Sequence, residues 1–206
     1  MMTSQQVEQI KRAPAVPGVL PLILHRWSPR SFSDRDVSPE DLRTLFEAAR
    51  WAASSNNEQP WRYLVGRRGT DTHAKIFESF GEWNRAWAGS ASVLLLGTAK
   101  KTFTPKGTPN EYAMHDLGAA DATICYQATA LGLHTHQMAG FDHEVARRLL
   151  QIPGDYLIGS IMAIGYLGEP AALTMDYQRE QEMTPRTRKQ LNEFVFSAWE
   201  QPADLG

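Results

Sequence analysis

SSNNEQPW, residues 54–61, separates a stretch of helical periodicity from a stretch of β-forming residues and belongs to neither. Its two hydroxyls, its asparagines and its proline favour a polar turn, because short polar side chains bond their own backbone and proline stops a helix. Upstream, Ser38-Pro39-Glu40-Asp41 offers a cap, a proline suited to the first helical position and two acids facing the positive end of the dipole. Leu42, Leu45, Phe46, Ala49 and Ala53 then recur at helical spacing, which predicts a helix that buries one face and stops near Ala53. Downstream, residues 62–65 read as a strand. Ser54, Ser55 and Asn57 therefore sit just past a helix end, where hydroxyls and an amide suit a polar ligand with several donors and acceptors. On spacing alone, a plain helix-terminating turn is the competing reading.

Working outward, the apolar residues Ile76, Phe77, Phe80 and Trp83 predict a helix over 72–87, and SVLLLG, 92–97, reads as a buried strand. Residues 100–111 are rich in Pro, Gly and Lys and read as a surface loop of the kind that covers sites. A long helix is expected over 112–131, ended by Gly132, with Gly118, Ala119, Ala120 and Ala122 giving a smooth face for a close neighbour. Asp142 is placed to cap a short helix carrying Val145, Ala146, Leu149 and Leu150, ended by Pro153-Gly154. YLIGSIMAIGY, 156–166, is the best strand in the chain. The tail from Thr184-Pro185 through Leu191, Phe194, Val195 and Trp199 suits one last amphipathic helix or an extended arm. Strands scattered among longer helices favour an α+β fold, read as one domain over 1–206.

Composition excludes more than it identifies. A formal net charge of -2 gives no global attraction to nucleic acid or to an anionic membrane. The apolar patch at 19–24 is broken by Pro21 and far too short to cross a bilayer, and it does not look like a signal peptide. One cysteine, Cys125, excludes an internal disulfide and a cysteine-based zinc site; its apolar neighbours suggest a small core residue. A soluble cytoplasmic protein is expected.

Arg26-x-Ser28-x-Arg30 gathers planar, permanently charged donors around a hydroxyl, a pattern suited to phosphate. Arg186-x-Arg188 repeats the theme at the far end of the chain, although such a pair is more often helix surface. His134-x-His136, with His115 and His143, lacks the carboxylate or third histidine on one side that a metal needs, so no metal is expected. Gly165-x-x-Gly168 lacks the glycine spacing of a dinucleotide fingerprint. No Walker motif, nucleophile elbow or pair of catalytic carboxylates is present.

Taken together, four segments resemble the FMN-dependent nitroreductase family. Arg26-Trp27-Ser28-Pro29-Arg30-Ser31-Phe32 is similar to its opening R-x-S-x-[RK]-x-[FY] element, and Ser54-Ser55-x-Asn57-x-Gln59-Pro60-Trp61 to its S-S-x-N-x-Q-P-W turn. Ala130-Leu131-Gly132-Leu133 followed by Gln137-Met138-Ala139-Gly140-Phe141-Asp142 resembles its LGL-to-GFD segment, and Arg186-x-Arg188 its C-terminal basic pair. The resemblance implies a central, mostly antiparallel sheet flanked by helices, in an intertwined homodimer with FMN at each end of the interface. It implies that Arg26, Ser28, Arg186 and Arg188 grip the FMN phosphate and ribityl chain, with Trp27 beside them. Arg30 would sit at the pyrimidine end of the ring, and Ser54, Ser55 and Asn57 would come from the other subunit. Asn84 would reach the ring's polar edge, while Gln137, Met138, Ala139 and Gly140 would pass flavin N5 with a backbone N–H.

The implied activity is ping-pong hydride transfer from NADH or NADPH to small planar electron-poor acceptors, nitroaromatics and quinones by default. The flavin carries the chemistry, so no catalytic side chain is expected. Alternatives within the resemblance are a reductive dehalogenase, an enone reductase, a flavin-consuming enzyme or a non-enzymatic FMN-storage protein. Two positions depart from the family's habit: Ala139 stands where Glu is common, and Trp87 where Lys falls, leaving a less polar flavin edge. Trp27, Trp51, Trp83 and Trp87 are candidates for a substrate lid or, more ordinarily, for core packing.

Overall fold

In the computed structural model of the chain, which describes residues 2–206, four strands form one sheet: β1 (Trp61–Arg67), β2 (Val93–Lys100), β3 (His134–Met138) and β4 (Tyr156–Gly165). Their order is β1-β2-β4-β3, and every neighbouring pair is antiparallel. The expectation of an α+β fold with an antiparallel sheet flanked by helices is met. Helices cover both faces, so the two central strands lose the polar alternation of a half-exposed strand. Leu94 and Leu96 face one core and Val93 and Leu95 the other, each at most 1% exposed. A leucine buried so fully is worth roughly 1.5–3 kcal/mol relative to exposure.

Among the described residues, eight α-helices accompany this sheet: α1 (Ser4–Lys11), α2 (Pro21–His25), α3 (Pro39–Arg50), α4 (Asp71–Glu78), α5 (Glu82–Ala88), α6 (Ala113–Ala130), α7 (His143–Leu150) and α8 (Asp176–Met183). α3 begins as its sequence predicts: Pro39 is the first helical residue and Ser38 Oγ accepts the Asp41 amide at 2.9 Å. It stops at Arg50, earlier than Ala53, because the Trp51 and Ala52 amides bond back to Ala48 and Ala49 and the chain then turns extended at Ser54. Leu42, Leu45 and Ala49 of α3 meet Ala120, Ile124 and Ala128 of α6. Cys125 lies in this same core, as expected.

Gly97 and Gly159, on adjacent strands, make a notch for Leu117 of α6. A Cβ built on Gly159 would meet the Leu117 side chain at 2.5 Å, and one on Gly97 at 3.2 Å. The smooth face of α6 divides. Ala120 is buried within the chain, whereas Gly118 is exposed with nothing near the position of a Cβ.

The helix expected over 72–87 is two helices, α4 and α5. Phe80 leaves the helical path to bridge Phe141, and Ser79 O accepts the Asp142 amide at 2.8 Å; these long-range bonds outcompete the helical ones. Asp142 caps α7 through the Glu144 and Val145 amides, but α7 ends at the left-handed Gln151 (φ 54°) before Pro153-Gly154 is reached. The tail is the extended arm of the two alternatives. It carries one short helical turn, Leu191–Glu193, and a small hairpin of β5 (Phe196–Ala198) and β6 (Gln201–Pro202). Leu191, Phe194 and Trp199 find no face of this chain to pack on and stay exposed. Neither α1 nor α8 was expected, and α8 buries only Gln178 and Glu182, so it has no apolar stripe to read. Among the described residues, no helix is long and apolar enough to cross a membrane.

Candidate functional site

The basic segment at 26–31 runs from the end of α2 to Phe32, which bridges Leu167. Its geometry is fixed from two sides. Nδ1 of His136, on β3, donates to Pro29 O at 2.8 Å; the acceptor is a carbonyl, so this nitrogen carries the proton. On the other side the Arg30 amide donates to both carboxylate oxygens of Glu182 at 3.0 Å, and the Ser31 amide to Oε1 at 3.1 Å. Glu182 belongs to α8 and is 1% exposed. Burial pushes its carboxyl up, while the Ser31 and Arg30 amides and the Arg30 and Lys11 charges pull it back down. Lys11 is itself buried, donating to Gln181 O at 2.7 Å and Thr184 O at 2.6 Å, with its ammonium 5.3 Å from the centre of the Trp27 ring.

The far-end arginines come to the same place. Arg186 donates to Leu24 O and Arg26 O, while Arg26 Nη1 donates to Ser28 Oγ at 3.1 Å. Burial, followed by the Arg188 and Arg26 charges, lowers the Arg186 guanidinium below its ordinary value. Like charges thus face one another across 160 residues of sequence. None of Arg26, Arg30, Arg186 and Arg188 takes part in an ion pair among the described residues. Nε of Arg30 and Nε of Arg186 are both buried without an acceptor. Unmatched buried donors are rare because each forfeits its hydration, and a cluster of them around unpaired cations suits an anion. Trp27 is a core residue, 3% exposed, packed edge-on against His134 at 5.8 Å.

The end of β3 lies alongside α5. Asn84 Nδ2 donates to Gly140 O at 2.9 Å, which brings these two candidate residues together. Any Cβ at position 140 would press on that amide nitrogen at 3.2 Å. Met138 is buried, while Gln137, Ala139 and Gly140 are exposed. Trp87 is 3% exposed, 6.3 Å from the Phe32 ring and 4.6 Å from the His136 ring, so it is core rather than lid. Trp83 and Trp51 remain exposed; Trp83 packs on Tyr177 at 5.7 Å. His136 is pushed down to about 4, first by burial and then by the Arg30 and Arg26 charges, against the Pro29 hydrogen bond.

Ser54, Ser55 and Asn57 are held apart from this cluster: no hydrogen bond joins them to 26–30 or 186–188 among the described residues. Their own turn is tightly specified. Ser54 Oγ accepts the Gln59 amide at 3.0 Å, the Ser55 amide donates to the buried Asp116 at 3.0 Å, and Asn56, Asn57 and Gln59 all adopt positive φ. The loop at 100–111 leans over this turn, its Thr104 amide donating to Glu58 at 2.9 Å. Sequence reading missed Glu182, His136 as a backbone anchor, and Asp116. Only His136 carried a signal, standing between the 130–133 and 137–142 segments of the resemblance.

The antiparallel sheet between helices places the chain in an α+β class that solved structures share. The crystal structure of an oxidoreductase containing FMN matches with a TM-score of 0.83 at 32% identity, over 91% of this chain and 94% of that one. Residues 23–166 match the model of the nitroreductase family, and the chain belongs to that family. A protein of Archaeoglobus fulgidus with the provisional name NADH dehydrogenase/NAD(P)H nitroreductase is 30% identical over 151 residues, 71% of this chain and 84% of its own length. Iodotyrosine deiodinase, solved with FMN and 3-iodo-L-tyrosine, shares the fold with a TM-score of 0.58 at 20% identity, over 71% of this chain and 88% of that one.

Proposed function

We propose that the chain is one FMN-binding domain over 1–206, acting as a homodimeric, FMN-dependent NAD(P)H oxidoreductase on small planar electron-poor acceptors such as nitroaromatics and quinones. The observation that carries this reading is the cluster of unpaired guanidiniums of Arg26, Arg30, Arg186 and Arg188, with buried, unmatched Nε donors on Arg30 and Arg186. It suits a phosphate and the electron-rich edge of a flavin. Bound FMN would supply the two-electron chemistry at N5, which no side chain of this protein provides.

The chain's own part is placement and field. Arg26, Ser28, Arg186 and Arg188 hold the phosphate end, and Arg30 places a fixed positive charge at the pyrimidine end, where negative charge develops on reduction. Asn84 orients Gly140 so that the exposed 139–140 backbone lies at the reacting edge. Support for the homodimer comes from apolar surface: Leu20 and Ile23 of the α2 segment, Tyr112 and Met114 by α6, and Phe194 and Trp199 of the arm are all exposed. A partner would cover them and bring its Ser54, Ser55 and Asn57 to the cofactor. The free, buried Cys125 fits a cytoplasmic protein.

An anaerobic visible spectrum, taken before and after NADH and then NADPH, tests the reading. An oxidised flavin spectrum that bleaches and returns with a nitroaromatic or quinone supports it. Protein that takes up no added FMN rejects it, and a bound flavin that neither nucleotide bleaches leaves a flavin-storage protein.

A further inference from the structure

The peptide unit between Pro29 and Arg30 is gripped at both ends of its dipole by side chains from distant elements. Its carbonyl accepts from His136 on β3, and its N–H donates to Glu182 on α8, which also takes the next amide, Ser31. Those partners lie 107 and 152 residues away in sequence. A peptide held at one end can still rotate about the flanking φ and ψ; held at both ends it cannot, and the Cα–Cβ direction from which the Arg30 side chain leaves is set with it. Both anchors are themselves immobilised. His136 packs against Trp87 at 4.6 Å, and Glu182 sits in the last turn of a helix whose terminal carbonyls are capped by Lys11. The α8 half of this is not needed to bury apolar surface, since α8 contributes only Gln178 and Glu182 to the interior.

We propose that Glu182 and His136 are positioning residues that act through Arg30, clamping the 29–31 backbone so that its guanidinium is aimed at the cofactor before the cofactor arrives. This rests on the reading of Arg30 as a flavin-contacting residue. Preorganisation of that kind removes the ordering cost of a long side chain at the moment of binding. It also keeps the cation in register with the ring through a redox cycle, during which the charge it faces changes.

A double-mutant cycle on the full-length protein tests the clamp, with FMN dissociation constants from flavin fluorescence, the flavin midpoint potential, and the thermal midpoint as readouts. Arg30→Ala should lower the potential. Glu182→Gln keeps the volume but no longer offers two anionic oxygens to two amides; it should weaken FMN binding about tenfold, the effect of one charge-assisted hydrogen bond, and lower the potential in the same direction. In an Arg30→Ala background the same change should leave both readouts where Arg30→Ala put them, because the residue through which it acts is gone. His136→Leu should reproduce the Glu182→Gln pattern, and His136→Asn, whose amide reaches Pro29 O from nearly the same position as Nδ1, should restore it. Should Glu182→Gln destabilise the fold, Lys11→Met/Glu182→Gln replaces it, leaving neither charge buried alone. Effects on FMN affinity and potential that add to those of Arg30→Ala would overturn the clamp, as would a Glu182→Gln protein altered only in thermal midpoint. If Arg30→Ala itself changes neither affinity nor potential, the parent reading of Arg30 fails and the clamp fails with it.

Discussion

Two carboxylates, Glu182 and Asp121, are buried almost equally, 1% and 5% exposed, and both are pushed up by burial. Their surroundings differ. Glu182 receives two backbone amides beside the Lys11 and Arg30 charges. Asp121, on α6 above the sheet, receives only the Tyr63 hydroxyl at 2.8 Å and the Ser160 hydroxyl at 3.4 Å, and rises to about 6. A buried carboxylate among cations and amides holds something charged in place, whereas one among hydroxyls is a packing element that tolerates a proton. The basic cluster around Glu182 is therefore the side on which the proposed cofactor would bind, and the interior around Asp121 is packing.

The contrast breaks most severely at Lys11. Lys11→Met removes a positive charge near Glu182 and the donor from two carbonyls at the end of α8, and should cost about 3 kcal/mol in urea unfolding. The double change with Glu182→Gln should cost less than the sum of the two.

Asp121→Asn should act in the opposite sense. The folded value of Asp121, about 6, lies above the ordinary 3.8, so the folded protein binds that proton more tightly than the unfolded chain. Its contribution is fully present below about pH 4, is lost as pH rises to about 6, and above that amounts to a penalty of about 3 kcal/mol. Asn, still able to accept from Tyr63, should remove that pH slope and raise the thermal midpoint at pH 8. A midpoint lowered at pH 8 but not at pH 4 would show that Asp121 is needed charged.

Much of this organisation was legible beforehand. Ser38-Pro39 announced α3, the 156–166 run announced β4, and the paired Arg-x-Ser-x-Arg and Arg-x-Arg segments announced a cluster that the fold assembles. Glu182 was not legible: DYQREQEM has no apolar period, and either of its two glutamates reads as solvated surface until the 29–31 backbone is laid against one of them. The break between α4 and α5 was hidden for a related reason. The residues that cause it, Phe141 and Asp142, lie 60 positions downstream, beyond any local window.

Two smaller changes sharpen the comparison. Arg188→Glu adds an anion to the cationic side and should weaken FMN binding about thirtyfold, with little change in thermal midpoint since Arg188 is exposed. Unchanged affinity would return the C-terminal pair to the surface. Tyr63→Phe removes the shorter of the two hydroxyl bonds to Asp121 and should cost about 1 kcal/mol above pH 6 and less at pH 4, measured by urea midpoint.

The glycine notch under Leu117 ties these separate chemistries together mechanically. α6 rests on it through Leu117, about one turn in from its N-terminal end, with Asp116 one residue before the seat and Asp121 one turn after. Asp116 holds the Ser55 turn on one flank, and Asp121 holds Tyr63 beneath. A methyl group at position 159 would act as a wedge under a beam, tilting both carboxylates off their partners at once. One added carbon would thereby loosen the Ser55 turn at the surface and the Tyr63 contact in the interior together.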